Sequence, residues 1–66
     1  MKIKIDKDSD ALYFRLHERK IVESEEVQPG VILDYDESNQ VVGVEFLNVS
    51  QRATHQELSS LQFNAA

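Results

Sequence analysis

The sequence contains no cysteine. A disulfide framework and a thiolate metal site are therefore both excluded as sources of stability. It has only two glycines, so a glycine-rich loop cradling a phosphate is absent as well. No apolar run approaches the ~20 residues of a membrane span, and the opening MKIKID lacks the apolar stretch of a signal peptide. Positive charge is scarce: 7 Lys and Arg stand against 12 Asp and Glu, giving a net charge of −5 and a pI of about 4.8. Nucleic-acid binding draws on Lys and Arg facing phosphates, so this balance speaks against it. It favours a basic partner protein instead. These absences point to a soluble, cytoplasmic protein without membrane or direct nucleic-acid contacts.

At 66 residues the chain is expected to form one domain, 1–66, with a sheet core over 1–50 and a helix and tail over 51–66. A chain this short buries only ~60% of the surface exposed when unfolded. With no covalent staples, self-association into a homodimer is the expected route to further burial.

What is present is a rhythm of two. Ile3 and Ile5 alternate with Lys2 and Lys4, and Leu12, Phe14 and Leu16 alternate with Tyr13 and Arg15. Side chains on a strand point to opposite faces in turn, so both stretches read as strands. The link DKDSD is rich in turn-forming residues. Further strands are expected over 21–27, acidic and solvent-facing, and over 31–36 and 41–49. Pro29-Gly30 and Asn39 supply the turns between them, and Gly43 marks a bulge or a close backbone approach. Thr54 precedes Glu57 by the spacing of a capping box, with Leu58 and Leu61 three apart. The spacing predicts a short helix over about 54–61, followed by a loose tail. The expected fold is α+β and mostly β: an antiparallel meander of about five strands (2–6, 11–16, 21–27, 31–36, 41–49) with a short C-terminal helix.

Alternation gathers Ile3, Ile5, Leu12, Phe14, Leu16, Val31, Leu33, Tyr35, Val42, Val44 and Phe46 on one face. The other is mixed, with Tyr13, Arg15, Ile32, Asp34, Val41, Glu45, Leu47 and Val49. That is more apolar than an ordinary solvated face. The candidate interface residues are Tyr13, Arg15, Ile32, Asp34, Glu45, Leu47 and Val49, together with Leu58 and Leu61 of the helix. Arg15 beside Asp34 and Glu45 suggests a cross-strand ion pair worth roughly 0.2–1 kcal/mol, with Tyr13 in hydrogen-bonding reach.

Asp6, Asp8 and Asp10 open like a calcium loop. However, the sixth position is Ala11 where such a loop needs glycine, and the twelfth is His17 where it needs glutamate. The turn reading is favoured. Asp34 and Asp36 form a second acidic group at a strand end and, with Asp6, Asp8 and Asp10, are the weak candidates for a divalent ion. No cofactor and no metal site is expected. His17 and His55 lack metal-ligand spacing, none of the serines has a nucleophile's setting, and no catalytic residue emerges. A non-enzymatic interaction module is the expected function. A divalent-ion or small-ligand binding domain is the alternative.

Four blocks in order carry a resemblance: KIKIDKDSDALYFRL, VESEEV, GVILDYD and VVGVEFLNVS. Across about residues 2–50 the chain resembles a widespread bacterial family of very short proteins of unknown function. The resemblance implies a compact antiparallel β domain. Some members resemble the antitoxin half of a toxin–antitoxin pair, beside a small basic ribonuclease-like protein. The family supplies no agreed catalytic or binding residues.

Overall fold

A computed structural model describes residues 1–64, and the side chains of residues 1–60. Five strands, β1 (Lys2–Asp6), β2 (Ala11–Arg15), β3 (Glu23–Gln28), β4 (Val31–Tyr35) and β5 (Val41–Leu47), form one antiparallel sheet. A 3₁₀ turn (Val49–Gln51) and helix α1 (His55–Asn64) follow.

The strand order is β1-β2-β5-β4-β3. A sequential meander would place β2 beside β3. Instead β3, β4 and β5 form a meander, and the β1–β2 hairpin joins it through β5, in a Greek-key arrangement. The residues explain the choice. All of β3 is exposed, and glutamates occupy both of its faces, so it belongs at an edge. β5 is the longest strand and rich in valine, so it takes the centre. The link over 16–22 therefore crosses the end of the sheet. Arg15 organises it, donating from Nε to the His17 carbonyl and from Nη2 to the Arg19 carbonyl, both at 2.6 Å. Backbone N–H groups of Leu16 and Val22 pair with the carbonyls of Val42 and Tyr35 at its two ends.

The turns follow the local chemistry. Asp6 Oδ1 accepts the N–H groups of Asp8 and Ser9 at 3.1 and 3.4 Å, an Asx turn. Asp36 Oδ1 accepts those of Ser38 and Gln40, both at 2.9 Å, and Asn39 takes the left-handed conformation (φ 63). Gly30 has φ +79, a conformation that favours glycine. Arg52 lies over this turn and donates to the carbonyls of Leu47 (2.9 Å) and Pro29 (2.7 Å).

The last strand ends two residues before the expected Val49, because Asn48 turns left-handed (φ 53) and starts the 3₁₀ turn. Asp10 holds that turn: its carbonyl accepts the Val49 N–H, and its carboxylate accepts both the N–H (3.0 Å) and the hydroxyl (2.7 Å) of Ser50. The capping box forms as expected, Thr54 N–H to Glu57 Oε1 at 2.9 Å and Glu57 N–H to Thr54 Oγ1 at 3.1 Å. The helix runs on to Asn64, through Phe63, where a loose tail was expected. Among the described residues, no helix is long and apolar enough to cross a membrane.

Candidate interaction surface

The register builds two faces. Ile3, Phe14, Val44 and Leu33 line up across four strands, and Ile5, Leu12, Phe46 and Val31 form the next row. Phe14 and Phe46 meet edge to face, ring centroids 6.3 Å apart. The two rows differ in burial. Leu12 and Val31 are buried, and a hollow of about 310 Å³ lined by Leu12, Phe46, Val49, Arg52 and Leu58 marks where the C-terminal segment lies against them. The row Ile3–Phe14–Val44–Leu33 contains no buried side chain, although three of its four strands are interior to the sheet. In a two-layer domain the middle of the apolar face would be the best-covered part. Beyond it, Leu16 is 47% exposed and Val22 52%. Met1 and Val41 stand exposed at the same end of the sheet. Val42, 2% exposed, is the deepest apolar side chain of the described core. It is the residue passed over where the β4–β5 register shifts.

The opposite face carries Tyr13, Glu45 and Ile32 in one row and Arg15, Gly43 and Asp34 in another, with Leu47 opposite Ala11. These sequence-predicted residues are thus brought together. The expected ion pair among Arg15, Asp34 and Glu45 is not formed. Arg15 spends its donors on the crossover carbonyls, because the link over 16–22 curls back to it. Asp34 is held instead by Tyr13 Oη, which donates to Oδ2 at 2.8 Å, and by Ser24 Oγ, which donates to Oδ1 at 2.6 Å. Tyr13 reaches Asp34 by crossing the backbone of β5 at Gly43. A Cβ at Gly43 would lie 2.5 Å from Tyr13 Oη and 2.8 Å from Asp34 Oδ2. Burial, and then the hydrogen bond to Asp34, push the Tyr13 phenol above its ordinary pKa, while neighbouring Arg15 pulls the other way. Ser24 was not singled out from the sequence; only the β3–β4 register, Ser24 opposite Asp34, reveals it. A hollow of about 410 Å³ on this face, bordered by the polar side chains of Lys4, Tyr13, Asp34 and Glu45, is open to solvent.

The remaining candidates are scattered. Val49 is buried in the 3₁₀ turn, not displayed on a strand. Leu58 is half-buried beside Leu12 and Phe46. The side chain of Leu61 lies outside the described residues. Asp6, Asp10, Asp34 and Asp36 are each engaged by N–H or O–H donors as above, and Asp8 is exposed. Backbone N–H groups hold two carboxyls below the usual carboxylate range, Asp36 chiefly through Gln40 and Asp6 through Ser9. Asp36 also lies 3.6 Å from the Arg19 guanidinium. Among the described residues, no three His, Asp or Glu side chains converge where they could hold a metal ion.

The fold and its surfaces define the class: a small antiparallel β-sheet domain whose apolar face is covered over one part only. The profile of DUF2283, a family of proteins of unknown function, matches residues 2–50, and the chain belongs to that family. No curated protein and no solved structure matches the chain.

Proposed function

We propose that this chain is a non-catalytic protein-interaction module whose working surface is the uncovered part of the apolar sheet face. One observation carries this reading: Phe14, Val44 and Leu33, on the three interior strands, and Ile3 beside them on the edge strand β1 all stay partly open. Contiguous apolar surface of this kind marks a protein-binding site. The sequence directed attention to the mixed face. That face is better explained internally, since Tyr13 and Ser24 engage its buried carboxylate Asp34.

A small basic partner, of the kind the family resemblance implies for a toxin, is supported by the net charge of −5. Some of the acids that produce it stand on the β1–β2 turn and at Glu37, Glu45 and Glu57, while Glu25, opposite Leu33, and Glu23, opposite Tyr35, border the apolar patch on its own face. The antitoxin role would use this acidic surface for steering and the apolar face for contact. Co-expression with the protein encoded beside it tests the reading. A complex is expected at low salt that weakens as salt rises and is lost in Leu16→Glu. Absence of a complex at low salt removes the antitoxin role. A complex indifferent to Leu16→Glu removes the apolar face as its contact.

A further inference from the structure

We infer that the crossover link over 16–22 is a pH-sensitive element, closed while the His17 imidazole is neutral and released when the ring takes up a proton.

The way the link is held leads there. Among the described residues, backbone-to-backbone hydrogen bonds fasten it only at its ends. The N–H groups of Leu16 (2.7 Å) and His17 (3.4 Å) share the Val42 carbonyl, and that of Val22 reaches the Tyr35 carbonyl (2.9 Å). Between those ends side chains hold it. Arg15 takes the carbonyls of His17 and Arg19. The Arg19 N–H, in turn, donates to His17 Nδ1 at 3.2 Å. The Arg19 guanidinium lies 3.6 Å from Asp36 Oδ2, a buried oxygen that accepts no hydrogen bond among the described residues.

A neutral imidazole has one N–H and one bare nitrogen. Since Nδ1 accepts, the ring proton sits on Nε2. A protonated ring carries N–H on both nitrogens and accepts nothing. Its Nδ1–H would then face the Arg19 N–H, donor against donor. The ring must turn away, and the Arg19 N–H is left to water.

Charge acts in the same direction. The charged groups at this end of the molecule are Lys2 of β1, Arg15 of β2, Glu18, Arg19 and Lys20 of the link, and Asp36 and Glu37 of the β4–β5 turn. Glu18 pairs with Lys2 at 3.4 Å, and Asp36 with Arg19. Arg15, Lys20 and Glu37 have no ion-pair partner among the described residues, and it is Arg15 that grips the His17 backbone. A positive ring is thus added beside an unneutralised guanidinium. The link also bears Leu16 and Val22, both exposed at the border of the apolar patch, so proton uptake alters that border. The device stands whether or not the patch binds a partner.

An NMR titration of the full chain from about pH 8 to 5, the range in which histidine changes charge, is the test. The Arg19 amide is expected to shift with the midpoint of the His17 ring, and fast backbone motion over 17–20, read by the heteronuclear NOE, to rise with it. Amides of Leu33 and Val44 stay in place and report an intact sheet. Asp36, its carboxyl held low by the N–H groups of Gln40 and Ser38, stays ionised throughout. His55, which lines a hollow with Asp6 and Asp10 at the other end of β2, titrates without moving Arg19. His17→Asn supplies an acceptor that does not titrate and can bond the N–H two residues on, so Arg19 keeps its high-pH position at every pH. His17→Ala has no acceptor, so Arg19 keeps its low-pH position. An Arg19 amide that stays still while the His17 ring titrates overturns the inference, as does a response that survives in His17→Asn. An alanine variant whose Arg19 amide matches the high-pH wild type also overturns it, since the shift would then report charge alone. An NOE unchanged across the titration removes the release.

Discussion

Replacing Gly43 by alanine adds one methyl group at the place where three strands share a hydrogen bond. The new Cβ would stand 2.5 Å from Tyr13 Oη and 2.8 Å from Asp34 Oδ2, so the phenol, the carboxylate or the strand must move. The Tyr13–Asp34 bond, 2.8 Å long and ending on a buried carboxylate, is the contact that yields. Losing a hydrogen bond to a charged group costs about 1.5–3 kcal/mol, and forcing a methyl into a packed site about 1–3 kcal/mol. Alanine recovers roughly 0.5–1 kcal/mol of backbone entropy in the unfolded chain. A net loss of about 2 kcal/mol is expected, large beside the ~3–10 kcal/mol that a chain of this length commands. Thermal unfolding followed by circular dichroism should show a fall in Tm of ~10–15 °C. Protein concentration must be held fixed, since self-association would shift Tm on its own. The decisive measurement is the cycle with Tyr13→Phe, which removes the nearest atom. The double variant should be less destabilised than the sum of the singles by about 1 kcal/mol. A Gly43→Ala variant as stable as wild type, or one whose cost simply adds to that of Tyr13→Phe, would refute the argument.

The other expectations are more local. Asp36, 3% exposed, has its pKa depressed in the folded state by the N–H groups of Gln40 and Ser38 and by Arg19. Its contribution is therefore present above the ordinary value of 3.8 and is lost as pH falls through the lower folded value; Asp36→Asn should flatten the acid limb of an unfolding-versus-pH curve, and an unchanged limb would count against this. Arg52→Ala removes two hydrogen bonds over the Pro29-Gly30 turn and should cost about 1–2 kcal/mol, with faster hydrogen exchange at Gly30 and Leu47 as its signature; unchanged exchange there contradicts the role. Thr54→Ala should destabilise helix α1 by about 1 kcal/mol while leaving sheet amides untouched, so sheet resonances that shift with it would show tighter coupling between helix and sheet than the geometry has.

Much of this fold was legible because two-residue alternation is a direct consequence of strand geometry. Ile3-Ile5, Leu12-Phe14 and Leu33 share the face that their spacing assigns. The capping box was readable for a similar reason, since Thr54 and Glu57 act within one helical turn. What escaped was long-range. Strand order depends on which edges tolerate solvent, and the acids of β3 announce an edge without saying which strand lies inside it. The partner of Asp34 could not be deduced either. Arg15 and Tyr13 lie on the same face of one strand, and the choice between them depended on where the crossover carbonyls came to rest. The helix end was misjudged because Phe63 and Asn64 carry no stop signal of their own. The candidate surface was not legible as such: alternation put Ile3, Phe14, Val44 and Leu33 on one face, but the interface was sought among Tyr13, Arg15, Ile32 and Asp34 on the other, because how far the apolar face is covered depends on where residues after Asn48 run.

The crossover over 16–22 sets the order in which the chain can assemble. The β1–β2 hairpin and the β3–β4–β5 meander each involve neighbours in sequence, and each can close within microseconds, the scale on which hairpins form. Joining them requires Ala11–Arg15 to find Gly43–Leu47, a search across some thirty intervening residues whose loop-closure entropy must be met before any of the pairing is gained. That encounter is the kinetic bottleneck. Until it occurs, the long central strand offers an open flank to any hairpin within reach, including that of a neighbouring molecule, so dilution during refolding favours each chain closing upon itself.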